Sequence, residues 1–194
     1  MPETFRGPAI ISCGQARDGK WKIEDVTLRP IGDEELVVQI VASGICHTDL
    51  VVGDQPDGAA PFVFYPRVLG HEGTLFYLDI LHPVEEHIRR ANPQRQNTGS
   101  GYVRAVGKNV TVASPGDPVL LSFTSCNTCR PCKMSRPSHC TTFDQGNFIG
   151  TKCYSTSADG DGSNPDIYGT FFGQSSFGKY TIAEQASVVN VKGL

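Results

Sequence analysis

The chain has 194 residues, 39% of them apolar, and a formal net charge of -3, which fits one globular domain with an appendage. Its longest cationic run is Arg89–Arg90, so the basic face that nucleic-acid binding needs is missing. No stretch approaches the roughly 20 apolar residues of a membrane span, and the first residues lack the apolar core of a signal peptide. We therefore expect a cytoplasmic protein that binds neither nucleic acid nor membrane.

The elements predicted along the chain are mostly strands. Near-alternating apolar and polar residues with β-branched side chains predict a strand at residues 35–42. Two more are predicted within residues 102–123, where GKN and SPGDP supply the turns, and strand character returns at residues 179–191. With 21 glycines and 13 prolines, the chain is expected to be mainly β with short helices.

Residues 74–99 differ from their surroundings. Pro83 suits a first helical position, and acidic residues 85–86 precede basic residues 89–90 in the order that the helix dipole favours. This pattern predicts a short helix at residues 84–91, which ends at Asn92-Pro93 and is followed by a polar linker.

Four of the seven cysteines have regular spacing, C-x2-C-x2-C-x7-C, at Cys126, Cys129, Cys132 and Cys140. Two intervening residues let a tight turn direct both thiolates at one ion, so the spacing predicts a closed, structural zinc site in a lobe at residues 124–141. Free thiols, two disulfides and an iron–sulfur cluster are the alternatives, and metal analysis separates zinc from iron. His139 is a competing donor that we expect at the surface.

A second, more dispersed set of donors lies in GICHTD and GHEG. Cys46, His71 and Glu72 offer a thiolate, an imidazole and a carboxylate, all of which bind zinc, and Asp49 is a further carboxylate nearby. Considered by spacing alone, a buried small cysteine and a hydrogen-bonded histidine are the commoner interpretation.

Together and in order, these motifs resemble the medium-chain, zinc-dependent alcohol dehydrogenases, in particular the N-terminal GroES-like domain of their aryl- and benzyl-alcohol branch. The resemblance covers residues 10–73 and 100–191 and includes GYVRAVGKNVT, GDPVLLSF and FFGQSSF. It implies a GroES-like, partly open β-barrel with a zinc-binding lobe.

The same resemblance implies roles for single residues. Cys46 and His71 would be ligands of a catalytic zinc ion, with Glu72 able to bind transiently and Asp49 orienting the His71 ring. Thr48 would take the alcohol proton, His47 would contact the cofactor pyrophosphate, and two aromatic side chains would line a pocket for aryl or allylic alcohols, namely Phe123 and Phe171. These roles predict NAD(P)-linked oxidation of a primary or aromatic alcohol to an aldehyde.

Three departures from the family are evident. Residues 74–99 interrupt the strand that GHEG and SGYVRAVG would form, so we predict an insertion, a loop plus short helix, of late origin such as a retained intron. Val51 replaces a histidine that passes the proton to solvent in many relatives, so the relay would end at cofactor ribose or water. The sequence has no complete G-x-G-x-x-G motif, so the Rossmann domain is expected to be absent, together with the cysteine that supplies the third ligand.

We therefore expect a truncated domain that is inactive alone, with zinc in the structural site and a two-ligand catalytic site that is weak or empty. NAD(P) would bind only if the missing domain were present. Cys13 and Cys153 are not expected to replace the third ligand. A standalone zinc-binding module that acts through protein–protein contacts is the alternative, because a surface where the cofactor domain should dock would be left exposed.

Overall fold

The computed structural model describes residues 3–72, 101–157 and 162–193. Within these ranges ten strands alternate with short helices. The strands are β1 (Arg6–Ser12), β2 (Trp21–Leu28), β3 (Glu35–Ile40), β4 (Arg67–Val68), β5 (Gly101–Val106), β6 (Pro118–Leu121), β7 (Thr151–Ser155), β8 (Ile167–Gly169), β9 (Tyr180–Glu184) and β10 (Val188–Asn190). The α-helices are α1 (His47–Gly53) and α2 (Arg130–Lys133). A π-helix lies at Gln145–Ile149, and 3-10 turns lie at Ala16–Asp18, Pro137–His139, Phe171–Gly173 and Gln185–Ser187.

One sheet closes into a barrel with the strand order β1-β2-β7-β8-β4. β1 pairs with β2 along the whole length of β1, from Arg6 opposite Thr27 to Ser12 opposite Trp21. The two-residue β4 completes the ring, since it pairs antiparallel with β1 and parallel with β8. The predicted β-rich fold is confirmed, and the two-residue β4 closes the ring of this barrel.

The second sheet has the order β10-β6-β5-β3-β9, with β3 between β5 and β9. The predicted strand at residues 35–42 is observed as β3, and its apolar side chains alternate between two cores. Val37 packs in the barrel core, whereas Leu36 and Val38 pack in a separate core with β5, β6 and β9. β3 therefore joins the two halves of the molecule.

A third, smaller core connects the barrel to α1. Val52, Leu69 and Phe171 are buried there, and Trp21 of β2 packs against them. A Cβ atom on Gly53, at the end of α1, would collide with the Trp21 indole, so the helix can approach β2 only with glycine at this position.

The segment after β4 places His71 at one end of the barrel. The amides of Ser176 and Phe177 donate to the carbonyls of Gly70 and Leu69 at 2.8 and 3.1 Å. Gly70 has φ +89° and lies directly against Phe177, so both its conformation and its surroundings require glycine.

Residues 74–99, predicted to be an insertion with a helix at 84–91, lie outside the described residues. Among the residues that are described, no helix is long and apolar enough to cross a membrane.

Candidate metal centres and aromatic pocket

The buried carboxylate of Asp49 connects the two sequence motifs of the dispersed site. Cys46 lies immediately before α1, and its amide donates to Asp49 Oδ2 at 3.0 Å. Asp49 Oδ1 accepts the Gly70 amide at 2.9 Å and lies 3.1 Å from His71 Nδ1. Because Asp49 is fully buried, this contact fixes the imidazole and leaves Nε2 as its free nitrogen.

Three donor atoms meet beside Asp49. One atom each from Cys46, His71 and Glu72 lies within 4.8 Å of the others. A thiolate, an imidazole and a carboxylate fit a zinc ion with three protein ligands and one open position. The structure thus brings these three predicted residues together.

Thr48 and His47 lie in the first turn of α1. Thr48 Oγ1 is 3.7 Å from Cys46 Sγ, so its hydroxyl lies beside the donor cluster. His47 is exposed and lines a shallow cleft of about 440 Å³ on the outer side of α1, together with Arg17 and Val51. Asp54, directly after α1, holds Arg17 there by accepting hydrogen bonds from the Arg17 amide and guanidinium.

Aromatic rings form one wall of the site. The Phe172 ring stacks on His71 with centroids 4.6 Å apart, and Phe148 meets Phe172 at 5.1 Å. Phe171, a predicted pocket residue, is fully buried and meets His71 edge-on at 5.5 Å. Phe123, the other predicted pocket residue, packs 5.6 Å from Phe143.

Sequence reasoning missed Phe172, Phe148 and Phe143 as members of this wall. The FF pair at 171–172 was a usable signal, since adjacent side chains in a tight turn point to different sides. Phe148 gave no local signal, because it is brought in by the π-helix, a one-turn irregularity that is frequent near functional sites.

A buried arginine supports the wall from behind. Arg67 of β4 is 1% exposed and donates to the carbonyls of Phe62 and Phe148 at 2.8 and 2.7 Å. Its guanidinium also lies 5.1 Å from the centre of the Phe171 ring. Burial lowers the pKa of Arg67 to about 10. Arg67 therefore connects the segment before β4, the π-helix and Phe171.

The four regularly spaced cysteines also converge. Donor atoms of Cys126, Cys129, Cys132 and Cys140 lie within 4.8 Å of one another. The amide of Cys126 points at Cys140 Sγ, and that of Cys129 at Cys126 Sγ, both at 3.4 Å. A hydrogen bond from the Thr128 side chain, with the Cys129 and Thr128 amides, lowers the pKa of Cys126 to about 5. These donors favour the thiolate form of Cys126, whereas burial raises the pKa of Cys132 to about 11. Four converging cysteine sulfurs fit a closed zinc site.

Asn147 anchors the start of this lobe to the aromatic wall. Its buried side chain accepts the Thr124 amide at 2.9 Å and donates to the carbonyls of Thr124 and Phe143 at 3.0 and 2.9 Å. The remaining cysteines belong to neither cluster: Cys13 is exposed, and burial raises the pKa of Cys153 to about 12. His139 is exposed on its 3-10 turn.

Comparison with known proteins gives consistent relatives. The family model for the alcohol dehydrogenase GroES-like domain matches residues 77–193. The geraniol dehydrogenase of Castellaniella defragrans is 34% identical over 173 residues, which cover 89% of this chain and 38% of the relative. A probable alcohol dehydrogenase from a Pseudomonas species is 35% identical over 156 residues, 78% of this chain and 38% of the relative.

Solved structures agree. The benzyl alcohol dehydrogenase of Acinetobacter calcoaceticus superposes with a TM-score of 0.69 at 30% identity, over 98% of this chain and 42% of the other. An alcohol dehydrogenase zinc-binding domain protein from Burkholderia ambifaria superposes with a TM-score of 0.71 at 29% identity. The match covers 98% of this chain and 43% of the other. The chain spans about two fifths of the length of these relatives. It belongs to the zinc-dependent, medium-chain alcohol dehydrogenase family and corresponds to the GroES-like domain of that family.

Proposed function

We propose that this chain is the zinc- and substrate-binding part of an NAD(P)-linked alcohol dehydrogenase that converts primary or aromatic alcohols to aldehydes. The observation that carries the proposal is the convergence of Cys46, His71 and Glu72 within 4.8 Å, beside the hydroxyl of Thr48. The four-cysteine lobe is proposed to hold a second, structural zinc ion.

Each side chain of the site has a distinct task in this proposal. The chemistry that zinc supplies in such a site is Lewis acidity, which lowers the pKa of an alcohol hydroxyl. Thr48 accepts the proton that leaves the alcohol, and Asp49 keeps the His71 ring in place. Because Val51 cannot carry the proton further, the relay ends at water or at the cofactor ribose.

The aromatic wall supports an aryl or allylic substrate. Phe172 presents its ring beside His71, and edge-to-face contacts with Phe148 and Phe171 restrict its movement. A flat, unsaturated substrate would gain contact with this ring, whereas a short aliphatic alcohol would not. The names of two relatives, a geraniol and a benzyl alcohol dehydrogenase, agree with this class.

Hydride transfer also needs a nicotinamide cofactor. The exposed His47 at the first turn of α1 is proposed to contact its pyrophosphate, but the sequence has no complete dinucleotide-binding glycine motif. We therefore propose that the 194 residues bind metal and alcohol by themselves and that turnover needs a nucleotide-binding part in addition.

Metal analysis of the purified chain tests the proposal. We expect about two zinc ions per chain, and about one in the Cys46→Ser variant, because only the dispersed site loses a ligand. Cys13→Ser, which removes a cysteine outside both clusters, should retain about two. One zinc ion in both the wild type and Cys46→Ser would contradict the proposed alcohol site.

Ligand binding and turnover form the second test. Benzyl alcohol should change the visible spectrum of the cobalt-substituted chain, while NAD and benzyl alcohol together should produce no NADH. Steady NADH formation by the purified chain would show that the proposed need for a further part is wrong.

A standalone zinc-binding module is the second candidate. It is favoured by the exposed apolar side chains that flank the dispersed site, Ile45, Leu50 and Val51, which are 71%, 48% and 42% exposed. This function predicts a stable protein complex that is lost in the Leu50→Glu variant, without any alcohol-dependent spectral change. A monomeric chain that responds to benzyl alcohol would rule it out.

A further inference from the structure

Asn147 is a fully buried polar side chain in the π-helix, directly before Phe148 of the aromatic wall. Its oxygen accepts the Thr124 amide at 2.9 Å, and its nitrogen donates to the carbonyls of Thr124 and Phe143 at 3.0 and 2.9 Å. One side chain therefore binds both backbone groups of Thr124.

These hydrogen bonds close the neck of the four-cysteine lobe. Thr124 lies two residues before Cys126, and Phe143 lies three residues after Cys140, so they flank the segment that carries all four sulfurs. The Phe143 amide also donates to the Cys140 carbonyl at 3.0 Å. Asn147 thus joins the chain that enters the lobe to the chain that leaves it.

Thr124 also touches both segments that carry the aromatic wall. A Cβ atom on Gly146, in the π-helix, would be 2.7 Å from Thr124 Cγ2. A Cβ atom on Gly173, directly after Phe172, would be 3.1 Å from the Thr124 amide nitrogen. Thr124 therefore packs against the backbone next to Phe172 and against the backbone that holds Phe148.

A shift of Thr124 would move the rings and leave the metal donors in place. Phe148 lies 5.1 Å from Phe172 and 6.2 Å from Phe143, measured between ring centroids, so the three rings depend on the same two segments. The donors of the dispersed site are positioned separately, through the buried carboxylate of Asp49. The wall and the donors can therefore respond differently to one substitution.

We infer that Asn147 is a positioning residue for substrate class, through which the ordered four-cysteine lobe holds the aromatic wall in place. The inference rests on the proposed alcohol site and gives the lobe a role beyond its own metal. Disorder of the lobe would free Thr124, and the two ring-bearing segments would lose the residue they pack against. The lobe then governs which alcohols bind, while the dispersed donors govern whether any alcohol binds.

Spectral titration of the full, cobalt-loaded chain with benzyl alcohol and with ethanol tests the inference. Asn147→Ala and Cys132→Ser should each weaken benzyl alcohol binding roughly 2- to 12-fold, the equivalent of one aromatic contact. Ethanol binding should change much less, because the donor atoms stay in place. The double variant should bind benzyl alcohol no more weakly than the weaker single variant, because both changes act through the same hydrogen bonds.

Asn190→Ala is the matched control. Within the described part of the chain, the Asn190 side chain also donates two hydrogen bonds and accepts one. Its nitrogen donates to the Val112 carbonyl and to Asp117 Oδ2 at 3.1 and 3.0 Å, and its oxygen accepts the Lys192 amide at 2.9 Å. Asn190 lies on β10, at the edge of the second sheet. The preference of this variant for benzyl alcohol over ethanol should equal that of the wild type.

Three outcomes overturn the inference. An equal loss for both alcohols in Asn147→Ala indicates a general structural role, and an unchanged preference in Cys132→Ser separates the lobe from the wall. Additive losses in the double variant show that the lobe acts by another route. If Asn147→Ala loses its circular dichroism signal, Asn147→Asp, which keeps the size and the acceptor but lacks the donors, takes its place in every comparison.

Failure of the proposed function gives a different result. A wild-type chain whose cobalt spectrum responds to neither alcohol refutes the alcohol site itself, and the inference with it. A wild type that responds to both alcohols, with one of the three outcomes above in the variants, refutes the inference alone.

Discussion

Asp49 Oδ1 lies 3.1 Å from His71 Nδ1, and both oxygens of this fully buried carboxylate are in use. Asn has only one acceptor oxygen, so Asp49→Asn must leave at least one of the Cys46, Gly70 and His71 groups unmatched. We expect cobalt affinity at the dispersed site to fall about 10- to 100-fold. Urea unfolding should show a loss of about 1–3 kcal/mol. Asp33→Asn, at an exposed position, should change neither the cobalt affinity nor the unfolding free energy. A cobalt affinity in Asp49→Asn equal to that of the wild type would contradict the role of Asp49 in orienting His71.

Phe172 gives a prediction on substrate class. In the cobalt-loaded chain, Phe172→Ala should weaken benzyl alcohol binding by about 1–3 kcal/mol, because a stacking partner and apolar area are lost. Ethanol has no ring to stack and little apolar area to bury, so its binding should weaken much less. Spectral titration measures both, and a parallel loss for the two alcohols would mean that Phe172 supports the metal site rather than the substrate.

Arg67 is expected to stabilise the barrel through its forked hydrogen bonds. Arg67→Ala removes them and opens a cavity, so we expect unfolding free energy to fall by about 2–5 kcal/mol. Arg67→Lys keeps the charge but cannot reach two carbonyls in the same geometry, and should lose less, about 1–3 kcal/mol. Chemical denaturation gives both values. A larger loss of unfolding free energy in Arg67→Lys than in Arg67→Ala would contradict the role of the two guanidinium hydrogen bonds.

The ion pair between Glu35 and Arg29 should produce a pH dependence. Burial opposes ionisation of Glu35, but the Arg29 guanidinium and the Gly32 amide, all at 2.7 Å, outweigh it and lower the pKa below the ordinary 4.5. The resulting stability is present above the unfolded-state pKa and is lost as pH falls through the folded-state pKa.

Glu35→Gln should therefore cost about 1.5–3 kcal/mol at pH 7, and less at pH 3, which lies below the ordinary pKa of 4.5. Urea denaturation at the two pH values measures the difference. The same cost at both values would show that the carboxylate charge does not matter.

The four-cysteine lobe should depend on its metal for order. Cys132→Ser is expected to lose one zinc ion per chain and to make the Lys133–Met134 bond open to rapid cleavage by trypsin, since metal binding supplies the free energy that orders such loops. Mass spectrometry gives both the zinc content and the cut sites. Cys13→Ser should resist trypsin like the wild type, and an equally resistant Cys132→Ser would contradict the zinc assignment.

Local patterns predicted much of this molecule from sequence. The near-alternation and β-branched side chains of residues 35–42 predicted β3, and the consecutive apolar residues 36–38 fit a strand that buries both faces between two cores. The cysteine spacing identified a cluster whose geometry is set by tight turns within 15 residues. Cys46, His71, Asp49 and Glu72 were found through a family resemblance, since spacing alone favoured buried, unrelated side chains.

Features that depend on distant contacts were not predictable in this way. In the sequence, Arg67 stands between Pro66 and Val68 with no sign that it is buried. Its contact with the π-helix is made to Phe148, 81 residues further along the chain. The closure of the barrel depends on the two-residue β4, too short to show any periodicity.

The chain has a single tryptophan, and the packing of Trp21 against Gly53 gives that residue a practical use. Its indole nitrogen is buried and has no hydrogen-bond partner among the described residues, so its emission should be blue-shifted while α1 lies in place. Any ligand, metal or variant that lifts α1 from β2 would let water reach the ring. The protein thus contains its own optical reporter for the helix that carries His47, Thr48 and Asp49, and no dye needs to be attached to follow it.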